Sequence, residues 1–202
     1  MGKLITIIGS TGCGKTTLAR LLCQSPRYTA FLEQHHERPF QQTFMQDLKT
    51  AAFANQVDFM LFRAEQEAEI RFTEVIGIQD GGLDQDFHIF TRLFFQNGYL
   101  SENEFDLCRR FYHLARLTLP PPDCTIYLAA PPALVAERRS RRSRELDIAQ
   151  NADIPKIERL LQEWLADPGY QSPILEIDTR DNDPTFSSSI QKIQDFIETN
   201  CI

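Results

Sequence analysis

Residues 9–16 read Gly-Ser-Thr-Gly-Cys-Gly-Lys-Thr and follow directly on the apolar, β-branched run Leu4–Ile8. This stretch fits the pattern G-x-x-x-x-G-K-[ST], in which a glycine-rich turn joins a buried strand to a helix. A helical pattern does follow, with Leu18, Leu21 and Leu22 on one face. The strand, the loop and the helix together predict an α/β domain with a phosphate-binding loop at its first turn. The alternative is a glycine-rich turn that binds no ligand.

The residue types in this loop suit a nucleoside triphosphate. Its glycines let successive backbone N–H groups converge on phosphate oxygens, and the next helix presents its positive end to the same anion. In this pattern Lys15 reaches the β- and γ-phosphates, and the Thr16 hydroxyl is a ligand of Mg²⁺. We therefore expect ATP, or another nucleoside triphosphate donor, and Mg²⁺ as cofactors. The predicted phosphate-binding residues are Gly9, Ser10, Thr11, Gly12, Cys13, Gly14, Lys15, Thr16 and Thr17.

The positions of Asp80 and Cys13 in the sequence each predict a property of the phosphate site. Asp80 follows the third predicted strand, at the edge of the sheet where ligands bind in such folds, and is the expected partner of Thr16 at Mg²⁺. The alternative is that Asp80 only opens an Asp-Gly turn. Cys13 lies at the start of the predicted helix, where the pKa of a thiol can fall, so we expect a reactive but non-catalytic cysteine.

Short apolar runs alternate with helical patterns along the chain, and this alternation predicts a parallel sheet covered by helices on both faces. We therefore expect a single α/β domain over residues 1–202, with three layers and about five strands. Helical spacing predicts helical structure over 40–72 and two helices over 87–95 and 104–117. The predicted strands are Leu4–Ile8, Thr29–Leu32, Val75–Ile78, Thr125–Ala129 and Ile174–Ile177.

Composition and charge exclude several classes of protein. The 202 residues are 42% hydrophobic and 24% charged, as in ordinary globular proteins, and no apolar run approaches the roughly 20 residues of a membrane helix. The net charge of −7 disfavours nucleic acid and anionic membranes as partners. Five cysteines without a C-x-x-C pair, and an N-terminus unlike a signal peptide, favour a reduced, cytoplasmic protein.

A second set of polar residues predicts a site for the phosphate acceptor. Gln56 and Arg63 are seven residues apart on one predicted helix and therefore share a face. Asp86 follows Asp80 by six residues, and Glu33 ends the second predicted strand. An amide and an arginine–carboxylate pair can read the polar edge of a nucleobase. The alternatives are an ordinary polar role for Gln56, a purely structural Arg63–Asp86 pair, and a surface position for Glu33.

Together with the phosphate loop, these residues resemble the deoxyribonucleoside kinase family over roughly residues 3–180. In that family the second strand ends in Glu, one helix carries Gln and an Arg seven residues later, and the third strand ends in an acid followed six residues later by Asp. An arginine-rich lid follows the fourth strand, and here it corresponds to about 138–147, which could otherwise be a solvated helix face. The matching residues are Glu33, Gln56, Arg63, Asp80 and Asp86.

The resemblance implies an activity and an assembly as well as a fold. The fold is the three-layer P-loop kinase fold. The activity is ATP-dependent phosphorylation of a deoxyribonucleoside, the acceptor substrate, at its 5′-hydroxyl, which gives the monophosphate and ADP in nucleotide salvage. The assembly is a homodimer, with the helices between residues 54 and 117 as the expected interface.

The resemblance also implies a role for each matching residue. Glu33 orients or deprotonates the 5′-hydroxyl, while Asp80 shares that role or holds Mg²⁺. Asp147 takes the place of an acid that meets the sugar 3′-hydroxyl, and Met45 falls where the family has a sugar-contacting tyrosine. The nucleobase is read by Gln56, Arg63 and Asp86. Negative charge on the transferred phosphoryl group is neutralised by Lys15, Arg138 and Arg142. The donor nucleotide is bound by Arg142 and Arg144.

The chain departs from the family pattern at the end of the third strand. The family has acid-Arg-Ser there, whereas this chain has Asp80-Gly81-Gly82. Charge that develops between donor and acceptor still needs compensation, so we expect another arginine to supply it, from the lid or from Arg92. Two alternatives remain: a P-loop kinase whose acceptor is not a nucleoside, and a nucleotide-sensing protein that has lost catalysis.

Overall fold

The structure is a computed structural model that describes residues 1–32, 38–140 and 151–201. Its strands are β1 (Lys3–Gly9), β2 (Tyr28–Phe31), β3 (Ile76–Asp80), β4 (Cys124–Ala129) and β5 (Ile174–Asp178). They form one sheet of five strands in the order β2-β3-β1-β4-β5, and every pair is parallel. The predicted parallel sheet of about five strands is confirmed.

Helices cover both faces of this sheet and form the outer layers of the predicted three-layer fold. Between α4 and α5 the chain continues as a π-helical segment over Asp86–Thr91, and a 3-10 turn over Asn151–Asp153 precedes α8. The helices are α1 (Lys15–Leu22), α2 (Pro39–Gln46), α3 (Leu48–Phe72), α4 (Leu83–Gln85), α5 (Arg92–Gln96), α6 (Glu102–Thr118), α7 (Pro132–Ser140), α8 (Ile154–Leu165) and α9 (Ile190–Cys201).

The central strand β1 supplies apolar side chains to both layers. Because successive side chains of a strand face opposite sides, Ile7 and Ile8 belong to different parts of the core. Ile7 packs in a cluster with Leu18 of α1 and Ile193 of α9. Ile8 packs in a cluster built from α2, α3, α5 and α8, which includes Leu160. The strand is therefore buried on both sides, as its largely apolar, β-branched run predicts.

The helical structure predicted over 40–72 is confirmed, but the chain breaks at Asp47 into α2 and α3. Asp47 has extended backbone angles, φ −143° and ψ 97°, and its carboxylate accepts hydrogen bonds from the N–H groups of Lys49 and Thr50. Such a cap satisfies N–H groups that lack a partner at a helix start, so it favours a new helix. The apolar spacing hides the break, since Phe44 of α2 and Ala52 of α3 belong to the same cluster.

The two helices predicted after the third strand are longer than expected. The helical region that contains 87–95 begins already at Leu83 and passes through the π-helical segment. In α6, Ser101 and Glu104 form a capping box that starts the helix at Glu102. Within the described ranges, the helices lack the combination of length and apolar character that crossing a bilayer requires.

Candidate active site

The predicted phosphate loop joins β1 to α1 at the edge where the parallel strands end. Gly9 has a φ of +143°, and a Cβ there would lie 2.7 Å from the carbonyl oxygen of Leu128, so only glycine fits. Lys15 Nζ donates hydrogen bonds to the carbonyl oxygens of Gly9 at 3.0 Å and Ser10 at 3.1 Å. The loop thus places its ammonium group against its own backbone, at the start of α1.

Asp80 lies at the end of β3, where its register partner on β1 is Ile7. The Thr16 hydroxyl donates a hydrogen bond to Oδ2 of Asp80. The other carboxylate oxygen, Oδ1, is buried and has no hydrogen-bond partner in the described part of the chain. A hydroxyl and a buried carboxylate oxygen that lacks a partner are the hard oxygen ligands that Mg²⁺ prefers. Thr16 and Asp80 therefore fit the predicted magnesium site.

The expectation of a reactive thiol at Cys13 is wrong. Cys13 lies just before α1, but its side chain is packed beneath the loop and is 1% exposed. Burial raises the pKa of this thiol, and this effect exceeds the lowering by the nearby ammonium of Lys15. A buried, protonated thiol is inert, so the role left to Cys13 in a phosphate site is that of its backbone.

A cavity of about 250 Å³ opens beside the loop, against the segment between β5 and α9. The Arg138 guanidinium donates hydrogen bonds to Asn182 Oδ1 at 2.8 Å, to Thr179 Oγ1 at 3.1 Å and to the Cys13 carbonyl at 3.4 Å. This segment was not among the predicted site residues; its signal in the sequence is the turn-forming run Asp-Asn-Asp-Pro at 181–184. The cavity is lined by Gly12, Cys13, Gly14, Thr17, Arg138, Thr179, Asn182, Asp183, Pro184 and Phe186.

Three of the predicted acceptor residues form one buried polar cluster. Arg63 Nε donates to Asp86 Oδ2 at 3.2 Å, and the two side chains are only 2% and 7% exposed. Gln56 Nε2 donates to the backbone carbonyl of Asp86 at 3.0 Å and to Thr91 Oγ1 at 2.9 Å. Because a carbonyl oxygen can only accept, these bonds determine which end of the Gln56 amide is the nitrogen. Both of its hydrogens are then used within the protein, which leaves Oε1 as the acceptor atom of this amide.

The guanidinium of Arg63 also packs against Gly81, where the family resemblance leads one to expect an arginine. Gly81 has a φ of +84°, and a Cβ there would lie 3.0 Å from Arg63 Nη2. Arg92 was one of the arginines expected to compensate for the arginine that is missing at Gly81. Its Nη2 instead pairs with Oε2 of Glu163 on the surface of α8 at 2.8 Å. Arg138 borders the phosphate loop through its bond to the Cys13 carbonyl. Arg138 is therefore better placed than Arg92 for that role.

The remaining predicted residues fall into two groups. Met45 lies near the end of α2 and is 40% exposed, while the adjacent Phe44 is fully buried. Glu33, Arg142, Arg144 and Asp147 lie outside the described residues, so their assignments stay predictions.

Two glutamines that were not predicted as site residues form hydrogen bonds there, one to the phosphate loop and one to the acceptor cluster. Gln85 Oε1 accepts the N–H of Gly9 at 3.0 Å. Gln66 Oε1 accepts from Arg63 Nη1 at 3.3 Å, and Gln66 Nε2 donates to the Leu32 carbonyl at the end of β2 at 3.1 Å. Both glutamines have the pattern of ordinary polar helix residues in the sequence, because the Gly9 N–H and the Leu32 carbonyl are distant from them in the chain.

The family model described as Deoxynucleoside kinase matches residues 5–202. The chain belongs to the deoxynucleoside kinase family. It is 24% identical over 200 residues to the deoxyadenosine/deoxycytidine kinase of Bacillus subtilis (strain 168), covering 96% of this chain and 91% of that protein. It is 27% identical over 180 residues to the deoxyadenosine kinase of Dictyostelium discoideum, covering 87% and 72% of the two chains. Membership makes the protein a nucleoside-phosphorylating enzyme.

The fold of this kinase is also that of a solved relative. The structure of deoxyadenosine kinase from M. mycoides with bound dATP superposes with a TM-score of 0.81 at 22% identity, covering 96% of this chain and 98% of that chain. The P-loop kinase fold implied by the sequence is therefore confirmed.

Proposed function

We propose that this kinase transfers the γ-phosphoryl group of ATP to the 5′-hydroxyl of a deoxyribonucleoside, giving the monophosphate and ADP, and that it serves nucleotide salvage in the cytoplasm. The observation that carries the proposal is the buried Gln56–Arg63–Asp86 cluster beside the phosphate loop. A nucleoside kinase needs these two features together, one for the base and one for the triphosphate. The names of its relatives, kinases of deoxyadenosine and deoxycytidine, agree with this acceptor class.

On the donor side, the residues of the phosphate loop bind and orient the triphosphate. The backbone N–H groups of the loop hold phosphate oxygens, and Lys15 offsets negative charge on the transferred group. Thr16 and Asp80 would hold Mg²⁺, which would supply positive charge against the phosphates of the donor. The cavity beside Arg138 receives the rest of the donor nucleotide, and Arg142 and Arg144 assist from the lid.

On the acceptor side, the residues position the 5′-hydroxyl in line with the γ-phosphate. Phosphoryl transfer depends mainly on such positioning, so a carboxylate that accepts a hydrogen bond from the hydroxyl is sufficient. Glu33 is the proposed carboxylate, with Asp80 as the alternative. Asp147 and Met45 are proposed to contact the sugar.

The orientation of Gln56 favours bases that carry an exocyclic amino group. Its nitrogen is bonded to the Asp86 carbonyl and to Thr91, so Oε1 meets the ligand as an acceptor. An acceptor pairs with a donor, and adenine, cytosine and guanine each carry an exocyclic amino group on the Watson–Crick edge, whereas thymine carries none. Purine deoxyribonucleosides and deoxycytidine are therefore the proposed acceptors, in preference to thymidine.

We expect Gln56→Ala to raise the KM for the preferred deoxyribonucleoside by about tenfold or more, since a buried base edge loses a partner. The KM for ATP should not change, because Gln56 does not border the phosphate loop cavity. Steady-state kinetics with each substrate varied in turn measures both, and Gln191→Ala on the exposed side of α9 is the control. An equal rise in the KM for ATP would show that this part of α3 does not bind the acceptor.

We expect Arg138→Ala to raise the KM for ATP by about tenfold, because its bonds to Thr179 and Asn182 hold the wall of the donor cavity. Arg180→Ala is the matched control, since its partner is the exposed Asp178. Steady-state kinetics at saturating nucleoside separates two outcomes. A fall in kcat of about 10³-fold with an unchanged KM for ATP would instead make Arg138 the arginine that compensates for Gly81.

The proposed reaction is tested by measuring ADP release with and without a panel of deoxyribonucleosides. We expect release to depend on the acceptor and to be fastest with a purine deoxyribonucleoside or deoxycytidine. Tight binding of ATP without turnover for any nucleoside would instead support the nucleotide-sensing alternative. Turnover with a phosphorylated or non-nucleoside acceptor alone would support another kind of P-loop kinase.

We also propose that the kinase is a homodimer, as the family resemblance implies. On α6, Leu107, Leu114 and Leu117 are exposed and recur at helical spacing, and Leu61 and Phe72 are exposed on the neighbouring α3. Covering such a stripe with a second copy removes apolar surface from water. We expect Leu114→Asp to convert a dimer to a monomer in light scattering, whereas Glu102→Lys at the start of α6 should not. A wild-type monomer at micromolar concentration would contradict this proposal.

A further inference from the structure

A buried glutamine joins the phosphate loop to the helical region that carries part of the acceptor cluster. Gln85 is 3% exposed, and its Oε1 accepts the N–H of Gly9, the first residue of the loop, at 3.0 Å. Within the described ranges, no other hydrogen bond connects loop residues 9–17 with the helical region that begins at Leu83. This bond can therefore influence the distance between the two sites.

The bond from Gly9 to Gln85 continues the β1–β3 ladder after β3 has ended. The N–H of Gly81 donates to the Ile7 carbonyl at 2.9 Å, and the next N–H of β1 that faces β3 in a parallel pair is that of Gly9. The chain turns away from the sheet at Gly81, where φ is +84°. The amide oxygen of Gln85 thus takes the place of a strand carbonyl and pairs a buried N–H group.

The helical region that contains Gln85 is itself fixed to α3, the helix that carries the rest of the acceptor cluster. Its first N–H, that of Leu83, donates to Oε1 of the buried Glu67 at 3.2 Å. Asp86, which directly follows Gln85, pairs with Arg63 of α3 at 3.2 Å. These contacts make α3 and the region around Gln85 one packed unit. Gln85 is therefore a point at which the acceptor side of the site is bonded to the phosphate loop.

The junction between β3 and this helical region adds little stiffness of its own. It consists of Gly81 and Gly82, where the family resemblance leads one to expect Arg-Ser. Glycine has more accessible backbone conformations than any other residue, so two in succession do not by themselves fix the direction of the chain. Bonds outside the junction, such as the one from Gly9 to Gln85, therefore contribute more to the position of the helical region.

We propose that Gln85 is a positioning residue for phosphoryl transfer. It acts through Gly9 and holds the phosphate loop at the distance from the acceptor cluster that in-line transfer requires. This inference rests on the proposed function and extends it to a residue outside the Gln56–Arg63–Asp86 cluster. A displacement of about 1 Å between reacting groups can lower a rate by about 10²-fold. Because the bond sets alignment, its loss should affect the transfer step more than the binding of either substrate.

The deciding variant is Gln85→Met, which keeps the length of the side chain but removes the oxygen that accepts the Gly9 N–H. We expect the single-turnover rate at saturating ATP and nucleoside to fall about tenfold or more, while the KM for each substrate stays within about threefold. Gln85→Glu retains a side-chain oxygen that can accept the same N–H. Its rate should therefore be at least about threefold higher than that of Gln85→Met.

The matched control is Ser172→Ala, which removes a buried hydrogen bond at the opposite edge of the sheet. Ser172 Oγ donates to the Pro122 carbonyl at 2.7 Å, and these residues precede β5 and β4. Both variants should lower the melting temperature, because each loses a buried bond, but only Gln85→Met should lower the transfer rate. If Gln85→Met does not fold, Gln85→Asn takes its place. Its side chain is one carbon shorter, so its oxygen lies farther from the Gly9 N–H and the same fall in rate is expected.

The outcomes separate this inference from the proposed function. If the wild type phosphorylates a nucleoside and Gln85→Met transfers at a rate within about twofold of it, the inference is overturned and the function stands. The inference is also overturned if the KM for either substrate rises by a larger factor than the rate falls, because Gln85 would then act in binding. If the wild type turns over no nucleoside, the proposed function fails and the inference fails with it.

Discussion

Lys15→Ala is expected to lower kcat by about 10²–10³-fold, because it removes the cation that meets charge on the transferred phosphoryl group. The ammonium donates to the Gly9 carbonyl at 3.0 Å and to the Ser10 carbonyl at 3.1 Å, both of which belong to the phosphate loop. The fold should therefore be preserved. Single-turnover rates at saturating ATP and nucleoside measure the effect, and the melting temperature checks the fold.

The control for Lys15→Ala is Lys192→Ala, which removes an exposed ammonium from α9. That variant should turn over at the wild-type rate, because its charge is remote from the loop. If Lys15→Ala kept more than a tenth of the wild-type rate, phosphoryl transfer could not be assigned to this loop. If Lys15→Ala lost both its activity and its folded structure, Lys15→Met would be measured instead. That variant removes the charge but keeps the length of the side chain.

Glu33→Gln is expected to lower kcat by about 10²–10⁴-fold while changing the KM for the nucleoside far less. An amide cannot take a proton from the 5′-hydroxyl, although it can still form a hydrogen bond with it. The effect therefore belongs to the chemical step and not to binding. Rapid-quench measurement of the first turnover, with nucleoside binding measured separately by calorimetry, separates the two.

The alternative carboxylate provides the comparison for Glu33→Gln. Asp80 is buried at the end of β3 and accepts a hydrogen bond from Thr16, so Asp80→Asn should chiefly raise the Mg²⁺ concentration needed for activity. An unchanged kcat in Glu33→Gln with a raised KM would show that Glu33 only binds. The role in proton transfer would then move to Asp80.

Most of the fold followed from local patterns. The run Leu4–Ile8 had to be a buried parallel strand because it is apolar on both faces, and the observed β1 differs from it by one residue at each end. The break at Asp47 did not follow, because α2 and α3 bury their apolar residues in the same cluster and so keep one continuous spacing. Periodicity reports which side of a segment is buried, and it does not report whether the segment is one helix or two.

Some features of the site also follow from short-range patterns in the sequence, whereas others depend on residues that are distant in the chain. The spacing of Gln56 and Arg63 was sufficient to place them on one face, since a helix repeats every 3.6 residues. Only the folded chain showed that Gln56 uses its nitrogen on the Asp86 carbonyl, which determines what its amide can offer a ligand. The thiol of Cys13 is a similar case, because burial raises its pKa although its place before α1 suggested the opposite.

The sequence by itself determined the phosphate loop, the parallel sheet and the family, because each depends on residue types at short, regular spacings. Only the tertiary structure decided which polar atoms are paired and which are not. Gln85 accepts a hydrogen bond from the N–H of Gly9, which lies 76 residues earlier in the chain. The side-chain amide of Asn55, by contrast, has no hydrogen-bond partner in the described part of the chain. Hydrogen-bond satisfaction depends on neighbours that are remote in the chain, and so it is a property of the folded protein.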